Sequence, residues 1–294
     1  MSRRCTLPSR VEIGVLALAT DRTPAPPALA REVEARGLDM LFLPENSHIP
    51  RDRKRDWPPV EGLLDPLSRL YDPFVALSAA AAVTERLLLG FAVCLVTHRD
   101  PINTAKAVAS LDLLSSGRVI LGVAGGALDV AMRNHGTEFK TRWKVVRERV
   151  LAMRTIWAEE EAAFSGEFVD FGPMWCYPKP LQPIGPPVWI GSNSKWVPGR
   201  VVDYADGWIV YHGRYDGDAI ADLRAACTQR ERDFEELSLA LADVPWDAGL
   251  AADFVARGYR KLIFLLPPHE HPLHALDRVA SLAECVRDRV GGRI

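Results

Sequence analysis

Short apolar runs alternate along the whole chain with longer stretches whose apolar residues recur every three or four positions. Eight runs predict strands, at residues 13–19, 40–44, 87–96, 119–124, 188–191, 208–211, 237–241 and 262–266. Most lack polar alternation, as expected for parallel strands covered on both faces. The stretches 28–36, 73–82, 102–114, 141–160, 195–203, 218–232, 248–257 and 273–289 predict helices. Local chemistry marks several ends. Asp72-Pro73 offers an N-cap followed by proline at the first helical position, and Gly37 can close the first helix with a positive φ. Eight strand–helix units predict an α/β fold, a single (β/α)8 TIM barrel with insertions after strands 2 and 4. An open doubly wound sheet is the alternative. The barrel domain is expected over residues 11–294, behind a short tail at 1–10.

The two insertions break the alternation. Residues 45–71 are rich in proline and arginine, with Arg51, Arg53, Lys54, Arg55 and Trp57 close together. In a barrel this segment lies on the face where active sites form. Residues 163–187 read as a small hairpin followed by a proline-rich return.

Composition narrows the function classes. With 36 basic and 38 acidic residues the formal charge is −2, and no basic block stands out to suggest a nucleic-acid partner. No apolar run is long enough to span a bilayer. Arg3, Arg4 and Arg10 before the run 13–19 imitate a signal peptide, but Glu12 interrupts the approach and the run serves as a first buried strand. Five scattered cysteines without a C-x-x-C pair fit reduced thiols and a cytoplasmic home.

Several strand ends carry chemistry. Leu43-Pro44-Glu45-Asn46-Ser47-His48 sets an acid, an amide and an imidazole just beyond the second strand. His48 or Glu45, with Asn46 between them, are the candidates for proton transfer. The fourth strand runs into Gly125 and Gly126, where a missing Cβ lets backbone approach a flat ring or a phosphate. A tight turn explains the same glycines. Gly191-Ser192-Asn193-Ser194 ends a strand just before a helix, a placement suited to phosphate; a simple N-cap is the plainer reading. His98 follows the third strand with its role open, while Asp100 before Pro101 is an N-cap. His269, His271 and His274 lie in a loop and lack a second ligand cluster, so no metal is expected.

Four ordered blocks resemble the bacterial luciferase-like monooxygenase superfamily, and within it the branch of oxidoreductases that use the deazaflavin coenzyme F420. The first is Gly37-Leu38-Asp39-Met40-Leu41-Phe42-Leu43-Pro44-Glu45. The second runs from Leu88-Leu89-Gly90 through His98-Arg99-Asp100-Pro101 and Ala109-Ser110-Leu111-Asp112 to the glycines at 122, 125 and 126. The third is Arg142 to Trp157 with Phe164-Ser165-Gly166-Glu167-Phe168, and the fourth is Pro186-Pro187-Val188-Trp189-Ile190-Gly191 with Ala205-Asp206-Gly207-Trp208. The resemblance implies a homodimeric barrel binding a flavin or deazaflavin at the C-terminal ends of its strands. It implies a cis peptide at Ala92 and Val93 against the ring, with Gly125 and Gly126 lining the ring and Gly191, Ser192, Asn193 and Ser194 holding the phosphate. Two positions depart from the pattern: Ala127 stands where the family often has tryptophan, and Asn46 where it often has histidine.

The leading expectation is hydride transfer between coenzyme F420 and a small-molecule substrate. An FMN-dependent monooxygenase with a separate flavin reductase is the alternative, and a non-catalytic flavin-binding or partner-binding barrel is the third reading.

Overall fold

A computed structural model describes residues 10–52 and 62–291. The chain opens with β1 (Glu12–Leu16), α1 (Pro26–Ala35), β2 (Met40–Leu43), α2 (Leu64–Ser68), α3 (Pro73–Ala81) and β3 (Leu88–Phe91). It continues through α4 (Pro101–Leu114), β4 (Val119–Val123), α5 (Asp129–Asn134), α6 (Arg142–Ala158), β5 (Glu161–Ser165) and β6 (Asp170–Trp175). The last third is β7 (Val188–Gly191), α7 (Val197–Tyr204), β8 (Gly207–Tyr211), α8 (Ala219–Arg230), β9 (Ser238–Ala242), α9 (Ala248–Arg257), β10 (Lys261–Leu265) and α10 (Pro272–Gly291).

Eight of these strands close a parallel barrel in the order β1-β2-β3-β4-β7-β8-β9-β10, and β10 pairs back onto β1. This is the (β/α)8 barrel that the alternation predicts, and closure leaves the eight-stranded sheet without an edge. Asp72, Asp100 and Asp218 cap α3, α4 and α8 with their carboxylates. Among the described residues, no helix is long and apolar enough to cross a membrane.

The barrel interior is filled from nearly every strand. Leu16, Met40, Phe42, Ile120, Trp189, Ile209 and Ile263 are its large side chains, and the Phe42 and Trp189 rings stack with centroids 6.1 Å apart. Small residues opposite them make the space. A Cβ on Gly90 would stand 2.1 Å from Cε1 of Phe42, and one on Gly207 would stand 2.6 Å from Cδ1 of Trp189. Outside the barrel, the opposite faces of the strands pack on the helices in one larger apolar layer.

Two buried polar nodes tie the loops at the N-terminal end of the barrel. The Arg118 guanidinium donates to the carbonyls of Ala81, Thr84, Leu87 and Ser115. The Asp112 carboxylate accepts from the backbone and side-chain nitrogens of Gln182. Arg118 thereby does without an acid, because carbonyl dipoles satisfy it.

The third predicted strand is cut short. Ladder pairing stops at Phe91, the Ala92–Val93 peptide is cis, Cys94 makes one isolated bridge to Val123, and a 3₁₀ turn follows at Val96–His98. After β6 the Tyr177–Pro178 bond is also cis. β5 and β6 form the hairpin of the second insertion. Its tip is fastened to α6 by Glu148, whose carboxylate accepts from the backbone N–H groups of Glu167, Phe168 and Val169. In the first insertion the helix α2 is a feature that periodicity did not announce. The basic residues Arg53, Lys54 and Arg55, with Trp57, lie outside the described residues.

The fit of Phe42 against Gly90 is testable. Gly90→Ala is expected to lose about 1–3 kcal/mol of stability in urea unfolding, because the ring has no room to withdraw. The double variant Phe42→Leu/Gly90→Ala should lose less than the sum of the two single changes.

Candidate functional site

A cavity of about 710 Å³ opens at the C-terminal ends of β2, β3, β4 and β7. Its size suits an organic cofactor or substrate. One wall is backbone-rich: Val93, Ala124, Gly125, Gly126 and Gly191 line it. Gly191 has to be glycine, since a Cβ there would meet Cγ1 of Val93 at 2.3 Å. Gly126 adopts φ +75°, a conformation that suits glycine.

Of the residues expected to transfer protons, Glu45 and Asn46 reach this cavity. Glu45 is buried, and both its oxygens are engaged. The Leu95 N–H donates to one at 2.6 Å, and the Arg99 guanidinium donates to the other at 2.5 Å. Arg99 also binds Asp72, the cap of α3, at 2.6 Å. The carboxylate thus fastens the end of β2 to the loop after β3. His48 stands one layer behind the cavity, where its ring bonds Ser47 at 3.0 Å and Asn134 at 2.9 Å.

The other end of the cavity carries two guanidinium groups. Gly191, Ser192 and Ser194 line it, together with Arg142, Trp143, Trp196 and Arg200. The guanidinium of Arg200 lies 4.1 Å from the Trp143 ring centre and 3.4 Å from the Ser194 hydroxyl. That of Arg142 lies 3.7 Å from the Phe139 ring centre and donates to the Phe139 carbonyl. Among the described residues neither makes an ion pair with a carboxylate. Burial lowers the pKa of both, and Arg142 lowers that of Arg200 further by like-charge repulsion. An anion between them would relieve both penalties. Asn193, by contrast, turns away, accepting from the Tyr211 N–H at 3.0 Å.

Arg142, Arg200 and Trp143 carry no assigned role in the motif reading, although Arg142 opens its third block. Arg142 and Arg200 sit on α6 and α7, and no spacing along the chain joins them. His98, whose role the sequence leaves open, lines the cavity, its ring stacked on His135 at 4.7 Å. Burial, then the neighbouring His135 and His48, lowers its pKa to about 4. Ala127 also lines the cavity. His269 and His271 fall elsewhere, on a separate cavity of about 690 Å³ beside the ends of β1 and β10.

The family model described as luciferase-like monooxygenase matches residues 13–245. An uncharacterized protein of Mycobacterium tuberculosis is 41% identical over 204 residues, which is 67% of this chain and 71% of that protein. An F420-dependent glucose-6-phosphate dehydrogenase of Intrasporangium calvum is 35% identical over 144 residues, 47% of this chain and 42% of that enzyme. Among solved structures, a monooxygenase of Streptomyces bottropensis superposes with a TM-score of 0.73 at 16% identity, covering 96% of this chain and 99% of that one. The coenzyme F420-dependent tetrahydromethanopterin reductase of Methanopyrus kandleri gives 0.67 at 13% identity, covering 92% and 98%. At such identities these two likenesses speak to the fold.

The environment of His98 sets a pH dependence. A histidine held at about 4 when folded and near 6.5 when unfolded binds more protons in the unfolded chain between those values. Its stabilising contribution is therefore whole above about pH 6.5 and is lost as the pH falls towards 4. Urea unfolding across this window should show stability falling with acidification. The fall should be shallower in His98→Leu, with a remainder from His135, whose pKa is lowered in the same direction by burial.

Proposed function

The chain belongs to the luciferase-like monooxygenase family, and on that basis we propose that its main cavity binds a phosphate-bearing flavin-type cofactor. The finer reading is an oxidoreductase that uses coenzyme F420 to move a hydride to or from a small organic substrate. The observation that carries the phosphate-bearing cofactor is the pair Arg142 and Arg200, two guanidiniums without a carboxylate partner among the described residues, set beside Ser192 and Ser194 at one end of a glycine-lined cavity. The choice of F420 leans on the relatives named as F420-dependent dehydrogenases.

A bound deazaflavin supplies the hydride chemistry, and the protein supplies orientation, electrostatics and exclusion of water. In this reading Val93, Gly125 and Gly126 flank the ring, with Ala92 completing the backbone at the cis peptide. Gly191 leaves Val93 the space it needs. Ser192, Ser194, Arg142 and Arg200 hold the phosphate, while Asn193 anchors the same loop to β8. Glu45 positions the loop after β3 through Leu95 and Arg99, Asn46 offers its amide to the bound substrate, and His48 braces the wall from behind through Ser47 and Asn134. FMN is the second candidate. Two guanidiniums match the dianion of a terminal phosphate, which favours an FMN-dependent monooxygenase fed by a separate reductase.

Titration of the purified protein with coenzyme F420 and with FMN tests the reading by fluorescence. Tight binding of F420 is expected. A preference for FMN would move the assignment to the monooxygenase, and binding of neither would sink the cofactor reading. Arg142→Ala and Arg200→Ala should each weaken the preferred cofactor by about 1.5–3 kcal/mol, roughly 10- to 100-fold, and make the remaining affinity less sensitive to salt. The Ser192→Ala/Ser194→Ala pair should cost about 1–3 kcal/mol in total. Unchanged affinity in these folded variants would remove the phosphate assignment.

A further inference from the structure

Two large side chains turn outward where the charged end of the main cavity meets solvent. Lys195 and Trp196 follow the loop Gly191–Ser194 and precede α7; both are exposed, whereas Val197 and Pro198 after them are buried. Trp196 is 63% exposed, although tryptophan is highly buried on average. The backbone that presents it is fixed. The Val197 N–H donates to the Ser194 carbonyl at 2.9 Å, and the Arg200 N–H donates to the Trp196 carbonyl at 3.3 Å. The indole borders the cavity together with Ser194 and Arg200. The Lys195 ammonium lies 5.2 Å from the centre of the Trp196 ring, and among the described residues it has no carboxylate partner. α7 begins here without a side-chain cap, so the positive end of its dipole adds to the same field.

Charge counting bears on what such an end can hold. Arg142 and Arg200 already match the two negative charges of a terminal phosphate, and FMN ends at its phosphate. A third cation and an exposed aromatic face beyond that point are of no use to it. In coenzyme F420 the phosphate is a diester with a single negative charge, and a lactyl group and glutamyl units continue past it, bringing further carboxylates. A carboxylate pairs with an ammonium, and the flat and apolar parts of such a chain pack on an indole face.

We propose that Lys195 and Trp196 form a subsite of the main cavity, beyond its phosphate end, that takes the carboxylate-bearing tail of coenzyme F420 and so selects it over FMN. This rests on the cofactor reading of the same cavity. It gives the exposed indole a ligand to cover it and the unpaired ammonium an acid to meet.

Fluorescence titration with three ligands tests the proposal: coenzyme F420, its glutamate-free precursor that keeps the phosphate and lactyl group, and FMN. The wild-type protein should bind F420 about five- to tenfold more tightly than the precursor. Lys195→Gln should weaken F420 about two- to fivefold and make its binding less sensitive to salt, with the precursor nearly unaffected. Lys195→Arg should keep the preference, and Lys195→Gln/Trp196→Ala should abolish it. Both side chains are exposed, so these variants should fold, with melting temperatures close to that of the wild type. A preference for F420 over the precursor that survives in the double variant overturns the proposal and leaves the cofactor reading standing. So does an equal loss for F420 and the precursor, or a wild-type protein that binds the two alike. If the wild-type protein binds FMN and not F420, the choice of F420 fails and the proposal with it; binding of neither removes the cofactor reading itself.

Discussion

At the mouth of this barrel, a single buried carboxylate joins two strand ends that the ladder does not hold. β2 and β3 pair only as far as Leu43 and Phe91. Beyond that point only Ala92 still bonds Leu43, Cys94 turns to β4, and the Leu95 N–H and the Arg99 guanidinium converge on Glu45. Through Asp72 the same arginine reaches the start of α3. Taking a carboxylate out of water is costly unless its partners are well placed, and here a backbone donor and a guanidinium supply what the solvent would have given. The backbone-lined wall of the cavity depends on this clamp, because Val93 and Leu95 lie within the segment it holds.

The opposite end of the cavity follows another electrostatic rule. Many surface arginines of the chain sit beside an acid, as Arg36 does with Glu32 and Arg154 with Asp206. Arg118 is buried and satisfied by carbonyl oxygens. Among the described residues Arg142 and Arg200 have no acid, and Arg142 has one carbonyl, that of Phe139. Aromatic faces hold them in position, burial lowers the pKa of both, and Arg142 lowers that of Arg200 further.

The two departures from the family pattern act on this same space. Ala127 lines the cavity in place of a tryptophan, so volume that an indole would occupy is left open. Asn46 replaces a histidine at the cavity edge, while the histidine two residues on is turned towards Ser47 and Asn134. The imidazole that does reach the cavity, His98, comes from the loop after β3.

The sequence alone determined the barrel. All eight barrel strands were legible as apolar runs, and the caps Asp72 and Asp100 as local motifs, because period, capping and proline position are decided within a few residues of chain. The hairpin and the glycines at 125, 126 and 191 were legible for the same reason. What lies beyond the reach of local pattern is which way a loop side chain turns. Glu45 and His48 are three residues apart, yet one is drawn into the wall by Leu95 and Arg99 while the other is drawn outward by Asn134, 86 positions away. Arg142 and Arg200 meet at one cavity from two helices on separate strand–helix units. Only tertiary structure could decide these placements, since each is set by hydrogen bonds and stacking between segments that closure of the barrel alone brings together.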